Sequence, residues 1–340
     1  MDMTREIRIE EGKLKVVFEI QENGVVELKQ FDSAGRMDVK ERDRGEEDFY
    51  PIIEVQITGR GTRGMHAYKH NVSGGATDFV YQSHEVLENE KGKELIIHTA
   101  TEYGVKGEYH MQFYPNVAAV QVWTILKNEG TEESCFGNMC RSFIYQGTLP
   151  EWRKAYFEKT SIYTPHNSWD CESQWRKNDC REINLSGMAV NGFNTPGFGM
   201  NRYCYGGHSS WSTCEYLPMG ICEDEECKVT YFFQVEHSGQ WLIEYGPSTG
   251  ERLYVALSGA TETEHGWWKN LKPGDTFTTV PAGFGVADGD VNEAMAELTE
   301  YRRKIRRPNE DDEKLNVVFN DYMNCLMGDP TEEKEKAIID

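Results

Sequence analysis

Few marks of an exported, membrane-spanning or nucleic-acid-binding protein occur in this chain of 340 residues. No run of 18 apolar residues is present, so no helix of bilayer length is encoded. The opening Met1-Asp2-Met3-Thr4-Arg5-Glu6 lacks the apolar stretch of a signal peptide, and the expected location is the cytoplasm. Basic residues are scarce: 36 Lys and Arg stand against 57 Asp and Glu, a net charge of −21. Phosphate-backbone binding needs clustered Lys and Arg, so nucleic acid and anionic membrane are not expected partners. The nine cysteines are an odd count in a chain without a secretory signal, which argues for free thiols over a disulfide framework. Internal repeats and low-complexity tracts are absent, and no helical period is found before residue 290.

What fills that first stretch is a succession of short apolar runs. Val16, Val17, Phe18 and Ile20 lead into Glu22-Asn23-Gly24, after which Val25, Val26 and Leu28 resume the pattern, as in a hairpin closed by an Asn-Gly turn. Similar runs follow at Ile52 to Thr58, Phe79 to Leu87, Leu95 to His98, Tyr109 to Tyr114, Ala118 to Leu126 and Phe136 to Tyr145. After a middle rich in Trp, Gly and Cys they return at Lys228 to Glu236, Trp241 to Tyr245, Leu253 to Leu257 and Phe277 to Val280. Many short strands at near-regular spacing predict an all-β fold, a large two-sheet antiparallel sandwich over residues 1–288. With 12% aromatic residues its interior is well filled.

A helix is expected from Asp290, where Asp290 and Glu293 form a capping-box pair and Val291, Ala294, Met295, Leu298, Tyr301 and Ile305 recur at helical spacing. It stops near Pro308, and Asn309 to Lys314 has the charged, proline-flanked composition of a linker, so residues 289–314 join two domains. Leu315 to Phe319 then reads as a buried strand, Asn320 to Cys325 as the loop leaving it, and Asp329-Pro330-Thr331-Glu332 as a helix start capped by Asp329. A βα unit needs a parallel neighbour, and none follows. Residues 315–340 are therefore expected to open a β/α domain of a longer protein.

The densest polar-aromatic stretch runs from His166 to Arg176 and holds Trp169 and Trp175. Sugar sites combine flat apolar rings with amides and carboxylates, and this stretch has both; the competing expectation is that its tryptophans fill the sandwich core. Gly206 to Thr213, with His208, Ser209 and Trp211, lacks the spacing and the strand-elbow-helix setting of a nucleophilic serine and reads as a turn. Cys222 and Cys227 make at most half a zinc site, so no metal and no cofactor is expected. The acidic clusters at Glu46 to Asp48, Glu223 to Glu226 and Asp311 to Glu313 are adjacent carboxylates in polar loops, not a pair facing across a glycosidic bond.

Taken together, the segments His98 to Gly147, His166 to Arg176, Gly207 to Thr213, Gln234 to Trp241, Trp267 to Thr279 and Leu315 to Met323 resemble the α-galactosidases of glycoside hydrolase family 36. The resemblance implies an N-terminal β-supersandwich, a connecting helix and the first βα unit of a truncated catalytic (β/α)₈ barrel. It also implies retaining hydrolysis of terminal α-galactosides by the whole enzyme. The family's catalytic aspartates lie on later barrel strands. Lys177-Asn178-Asp179 spells the nucleophile run, Lys-x-Asp, but falls within the sandwich. This chain alone is thus expected to carry no catalytic residue and no activity.

Asn320, Asp321 and Tyr322 would sit at the mouth of the barrel, where relatives read Asn-x-Trp-Glu. Homo-oligomers in which an aromatic loop reaches a neighbour make Trp169, Trp175 and Trp211 further candidates for substrate contact. The implied partner is an α-galactoside oligosaccharide. The alternative is a free-standing carbohydrate-binding or scaffold module, since a sandwich by itself does not specify function.

Overall fold

The computed structural model describes residues 5–36, 50–61, 73–131, 135–145, 159–185, 201–248, 252–318, 320 and 326–339. Three antiparallel sheets are built from them. The first joins β1 (Arg5–Glu11), β2 (Leu14–Ile20) and β3 (Val26–Ser33); the hairpin β2–β3 is as expected, but Gly24 alone is left-handed and its N–H donates to Gln21 O at 2.8 Å, so Glu22-Asn23-Gly24 is a three-residue loop and not a two-residue Asn-Gly turn. The second and largest contains β5 (Val80–Asn89), β6 (Gly92–Ala100), β7 (Val105–Phe113), β8 (Ala119–Asn128), β10 (Thr160–Ser168), β11 (Cys171–Asp179), β13 (Met219–Asp224), β14 (Val229–Val235), β18 (Thr276–Thr278) and β19 (Ala282–Asp288). Its order is β11-β10-β13-β14-β19-β8-β7-β6-β5, with β18 pairing β8. The third holds β4 (Val55–Ile57), β9 (Cys135–Tyr145), β12 (Tyr203–Gly207), β15 (Trp241–Ser248), β16 (Arg252–Gly259) and β17 (Lys269–Leu271). The sandwich is therefore as expected in class, with a three-stranded sheet added to the two large ones.

One side chain shows where these sheets meet. Phe284 of β19 stacks on Phe143 of β9 at 4.3 Å, meets Phe31 of β3 edge-on at 5.0 Å and stacks on Tyr231 and Phe233 of β14 at 5.8 and 5.9 Å. All three sheets thus bury aromatic area around one ring, where offset and edge-to-face pairs add to the apolar burial.

On the opposite face of β19, Gly283 and Gly285 leave room that other residues fill. A Cβ on Gly283 would lie 2.6 Å from the Tyr301 ring, and one on Gly285 2.2 Å from Phe232. A short helix α1 (Glu262–His265) precedes β17, and Tyr301 belongs to α2 (Val291–Ile305). The α2 helix starts as the capping box predicts: Asn292 N–H donates to Asp290, and Asp290 N–H to the Glu293 carboxylate at 3.0 Å. Its buried stripe, Ala294, Leu298 and Tyr301, lies on the largest sheet. There Tyr301 donates to Glu236 at 2.6 Å and Arg302 to Gln234 at 2.8 Å.

The chain divides into two compact units, Met1–Lys304 and Ile305–Asp340. In the second, two expectations are corrected, the strand after residue 314 and the cap of the last helix. Residues 310–314, within the expected linker, form a helical turn, α3 (Glu310–Lys314), capped by the Asn309 side chain. Leu315 ends it in the left-handed region, and residues 316–318 form no strand: Val317 and Val318 are almost fully exposed. Among the described residues no strand lies beside this run, and extended backbone without a ladder partner gains no sheet hydrogen bonds. The barrel start is thus not evident. The following helix, α4 (Glu332–Ile339), is capped by Thr331 and not by Asp329, because the Thr331 hydroxyl accepts from Lys334 N–H.

Candidate functional site

The polar-aromatic stretch from His166 to Arg176 forms the hairpin β10–β11, with β11 at the margin of the largest sheet. The strand alternation sets its two sides. Ile162 and Thr164 are fully buried inward, whereas Tyr163 faces outward, donates to Glu223 at 2.7 Å and lies beneath the Lys177 ammonium. Burial and Glu223 push the Tyr163 hydroxyl up to about 12. Trp175 stands opposite Pro165 and is half-buried.

At the tip the register slips between His166 and Ser168, and Asp170 takes a left-handed conformation, which Asp tolerates better than most residues. Asn167 accepts from Ser173 N–H at 2.9 Å to close the turn. Trp169, on that turn, is 68% exposed. The tryptophans of this stretch do not fill the core.

A second loop, from His208 to Leu217, runs alongside. Asn167 N–H donates to Glu215 O at 2.8 Å, the Asn167 amide donates to Thr213 O at 2.5 Å, and Leu217 N–H donates to Pro165 O at 3.0 Å. The His166 ring packs on Tyr216 at 4.9 Å, and burial followed by the nearby Arg176 lowers its pKa. Trp211 in this loop is 64% exposed. Trp169 and Trp211 are therefore carried by two loops that Asn167 ties together.

The serine–histidine pair in the second loop is a turn. Ser209 Oγ accepts from Trp211 N–H at 3.1 Å, and the buried Trp241 indole donates to Ser212 O at 2.6 Å. His208 stacks on His265 at 5.0 Å, and burial with that neighbour lowers the His265 pKa. Lys177-Asn178-Asp179 belongs to the ladder of β11. Lys177 pairs with Glu225 at 2.6 Å, which raises the ammonium's pKa, and Asn178 donates to Ile162 O and Thr164 Oγ1. Cys222 is buried in the core, and among the described residues no group of three His, Cys, Asp or Glu is placed to hold a metal ion.

Of the expected barrel-mouth residues, Asn320 is exposed, while Asp321 and Tyr322 lie outside the described residues. Sequence reasoning missed a buried charge cluster on the third sheet. Arg141 and Glu244, both fully buried, pair at 3.1 Å; Glu244 also takes Arg202 at 3.2 Å and the Tyr254 hydroxyl at 2.7 Å. No motif announces it, because its members are brought together only by strand pairing.

A large antiparallel β-sandwich with one amphipathic helix laid on its largest sheet defines the class of this chain. Solved structures that share the fold include α-galactosidases. One is the enzyme of Lactobacillus brevis, with a TM-score of 0.66 and 11% identity over 89% of this chain and 42% of that one. Two others are of a family 36 α-galactosidase from Geobacillus stearothermophilus. Its raffinose complex matches with a TM-score of 0.67 and 12% identity over 89% of this chain and 44% of that one. Its stachyose complex matches with 0.68 and 13% over 91% and 44%. At such identity the likeness is one of fold, and the chain spans less than half the length of these enzymes. No family model and no curated protein matches the sequence.

Proposed function

We propose that this chain is the N-terminal, non-catalytic sandwich of an α-galactosidase-like glycoside hydrolase of family 36. In this proposal residues 1–288 form the sandwich, 289–314 connect it, and 315–340 lead into a catalytic barrel that supplies the carboxylates for retaining hydrolysis of α-galactosides. The observation that carries it is the match of about nine-tenths of the chain to such enzymes, in each of which it spans only part of the length. The test is turnover of p-nitrophenyl α-galactoside by the full product of the gene and by the 340-residue chain alone. Release of nitrophenol by the first and none by the second is the expected outcome. An inactive full product, or an active 340-residue chain, refutes the proposal.

The exposed rings of Trp169 and Trp211 support a second role within the same enzyme, contact with another copy near its substrate pocket. Trp169→Ala combined with Trp211→Ala in the full product is expected to lower its mass in light scattering and to raise KM. Unchanged mass and KM would remove both residues from the site.

A further inference from the structure

The outer face of the largest sheet is covered by α2 over β14 and β19, but four strands further along, β5 to β8, carry no such helix among the described residues. Here the face is hollowed. A cavity of about 430 Å³ is lined by Gln82, His98, Thr99, Ala100, Lys106, Gly107, Glu108, Ile125, Lys127 and Glu129. The hollow follows from the register. His98 faces Glu108, Ala100 faces Lys106, and Glu108 and Lys106 face Ile125 and Lys127. A methyl group at residue 100 among long side chains leaves a pit. The bulge in β5 between Tyr81 and Ser83 brings Gln82 to its rim.

The charges in the pit answer one another. Glu129 takes both ammonium groups, Lys106 at 2.6 Å and Lys127 at 2.7 Å, and these hydrogen bonds hold its carboxyl at about 2. His98 lies between Glu85, 3.1 Å from Nε2, and Glu108, 3.8 Å from Nδ1. Glu129 thus offsets part of the positive charge in the pit, and among the described residues no group of three His, Cys, Asp or Glu is placed to hold a metal ion.

What remains are hydrogen-bond donors and acceptors around an apolar floor of Ala100 and Ile125. Two residues along β8 from Ile125, on the same face, is Trp123, half-buried and stacked on His110 at 4.9 Å and 12°. An apolar floor rimmed by hydrogen-bonding groups is what a neutral polyol ring needs, its C–H faces packing on apolar surface and its hydroxyl edges meeting donors and acceptors, and the indole nearby adds aromatic surface.

We infer that this hollow is a binding site for a neutral oligosaccharide, separate from any barrel pocket. It lies wholly within the sandwich. Binding by the 340-residue chain is therefore decided whether or not the gene encodes a galactosidase.

The test uses raffinose as the neutral probe and glucose 1-phosphate as the anionic one, by saturation-transfer NMR and calorimetry up to about 20 mM, the range of weak single-site binding. Raffinose is expected to bind with a millimolar Kd. Glu108→Gln and Trp123→Ala are expected to weaken it about tenfold, or ~1.4 kcal/mol, and Ala100→Arg to abolish it. Near-ultraviolet circular dichroism confirms that each variant is folded. Glu108→Gln, which keeps the shape of a half-exposed side chain, decides the question if Ala100→Arg does not fold. No raffinose binding, equal binding by wild type and Glu108→Gln, or tighter binding of glucose 1-phosphate overturns the inference.

Discussion

Gly285→Val will leave the sandwich unfolded or destabilised by more than about 3 kcal/mol, at the upper end of what overpacking costs. The position has no slack. A Cβ there would lie 2.2 Å from Phe232 Cζ, 2.4 Å from Phe232 Cε2 and 2.7 Å from Ala118 O, and Phe232 is itself 1% exposed. Neither obstacle can yield cheaply: the ring is buried, and the carbonyl accepts from Val286 N–H at 3.0 Å. The strand that would have to move carries Phe284, so displacement would also loosen the aromatic contacts that join the three sheets. Gly35→Ala, where nothing lies within 4 Å of the new methyl, serves as the comparison and is expected to stay within about 0.5 kcal/mol of wild type. Urea unfolding followed by fluorescence measures both, and a Gly285→Val midpoint close to wild type would sink the claim.

The same strand shows where the sequence was legible and where it was not. The runs at Phe79 to Leu87, Tyr109 to Tyr114, Ala118 to Leu126 and Lys228 to Glu236 each became a strand within a few residues of the expected bounds, because apolar side chains announce buried strands directly. β19, the central strand, was missed. Its Ala-Gly-Phe-Gly-Val pattern has one large side chain, and the glycines that look like turn material are required by Tyr301 and Phe232 pressing on the sheet.

β10 and β11 were missed for another reason. A marginal hairpin has one side in water, so its polar residues hide the strand period, and the run from His166 to Arg176 was legible as a surface of polar and aromatic groups but not as a hairpin. The run at Leu315 to Phe319 erred in the other direction. Apolar composition suggested a strand, whereas a strand requires a partner that composition does not supply. The hollow on β5 to β8 arises from cross-strand neighbours, which no local motif records.

Removing the Glu244 carboxylate will destabilise the sandwich by about 3–5 kcal/mol, the cost of taking one partner from a buried ion pair. Glu244 is fully buried and receives the Arg141 guanidinium at 3.1 Å, Arg202 at 3.2 Å and the Tyr254 hydroxyl at 2.7 Å. In Glu244→Gln the shape is nearly kept while the charge is lost. Arg141, also fully buried, then keeps Ser258 Oγ at 3.2 Å but has lost its carboxylate at Glu244. Arg202 is better placed, since it is part-exposed and also pairs with Glu264. The loss is therefore expected to track Arg141.

A double variant separates charge from packing. In Glu244→Gln with Arg141→Met both charges of the pair are gone, and a flexible apolar chain fills most of the vacated space. Recovery of at least half of the lost stability is the expected result, because losing one charge of a buried pair leaves the other uncompensated, whereas losing both does not. If the double variant is as unstable as the sum of the two single ones, the pair contributes through its hydrogen bonds to Tyr254 and Ser258 and not through mutual neutralisation. Equilibrium urea unfolding of the three variants distinguishes these outcomes.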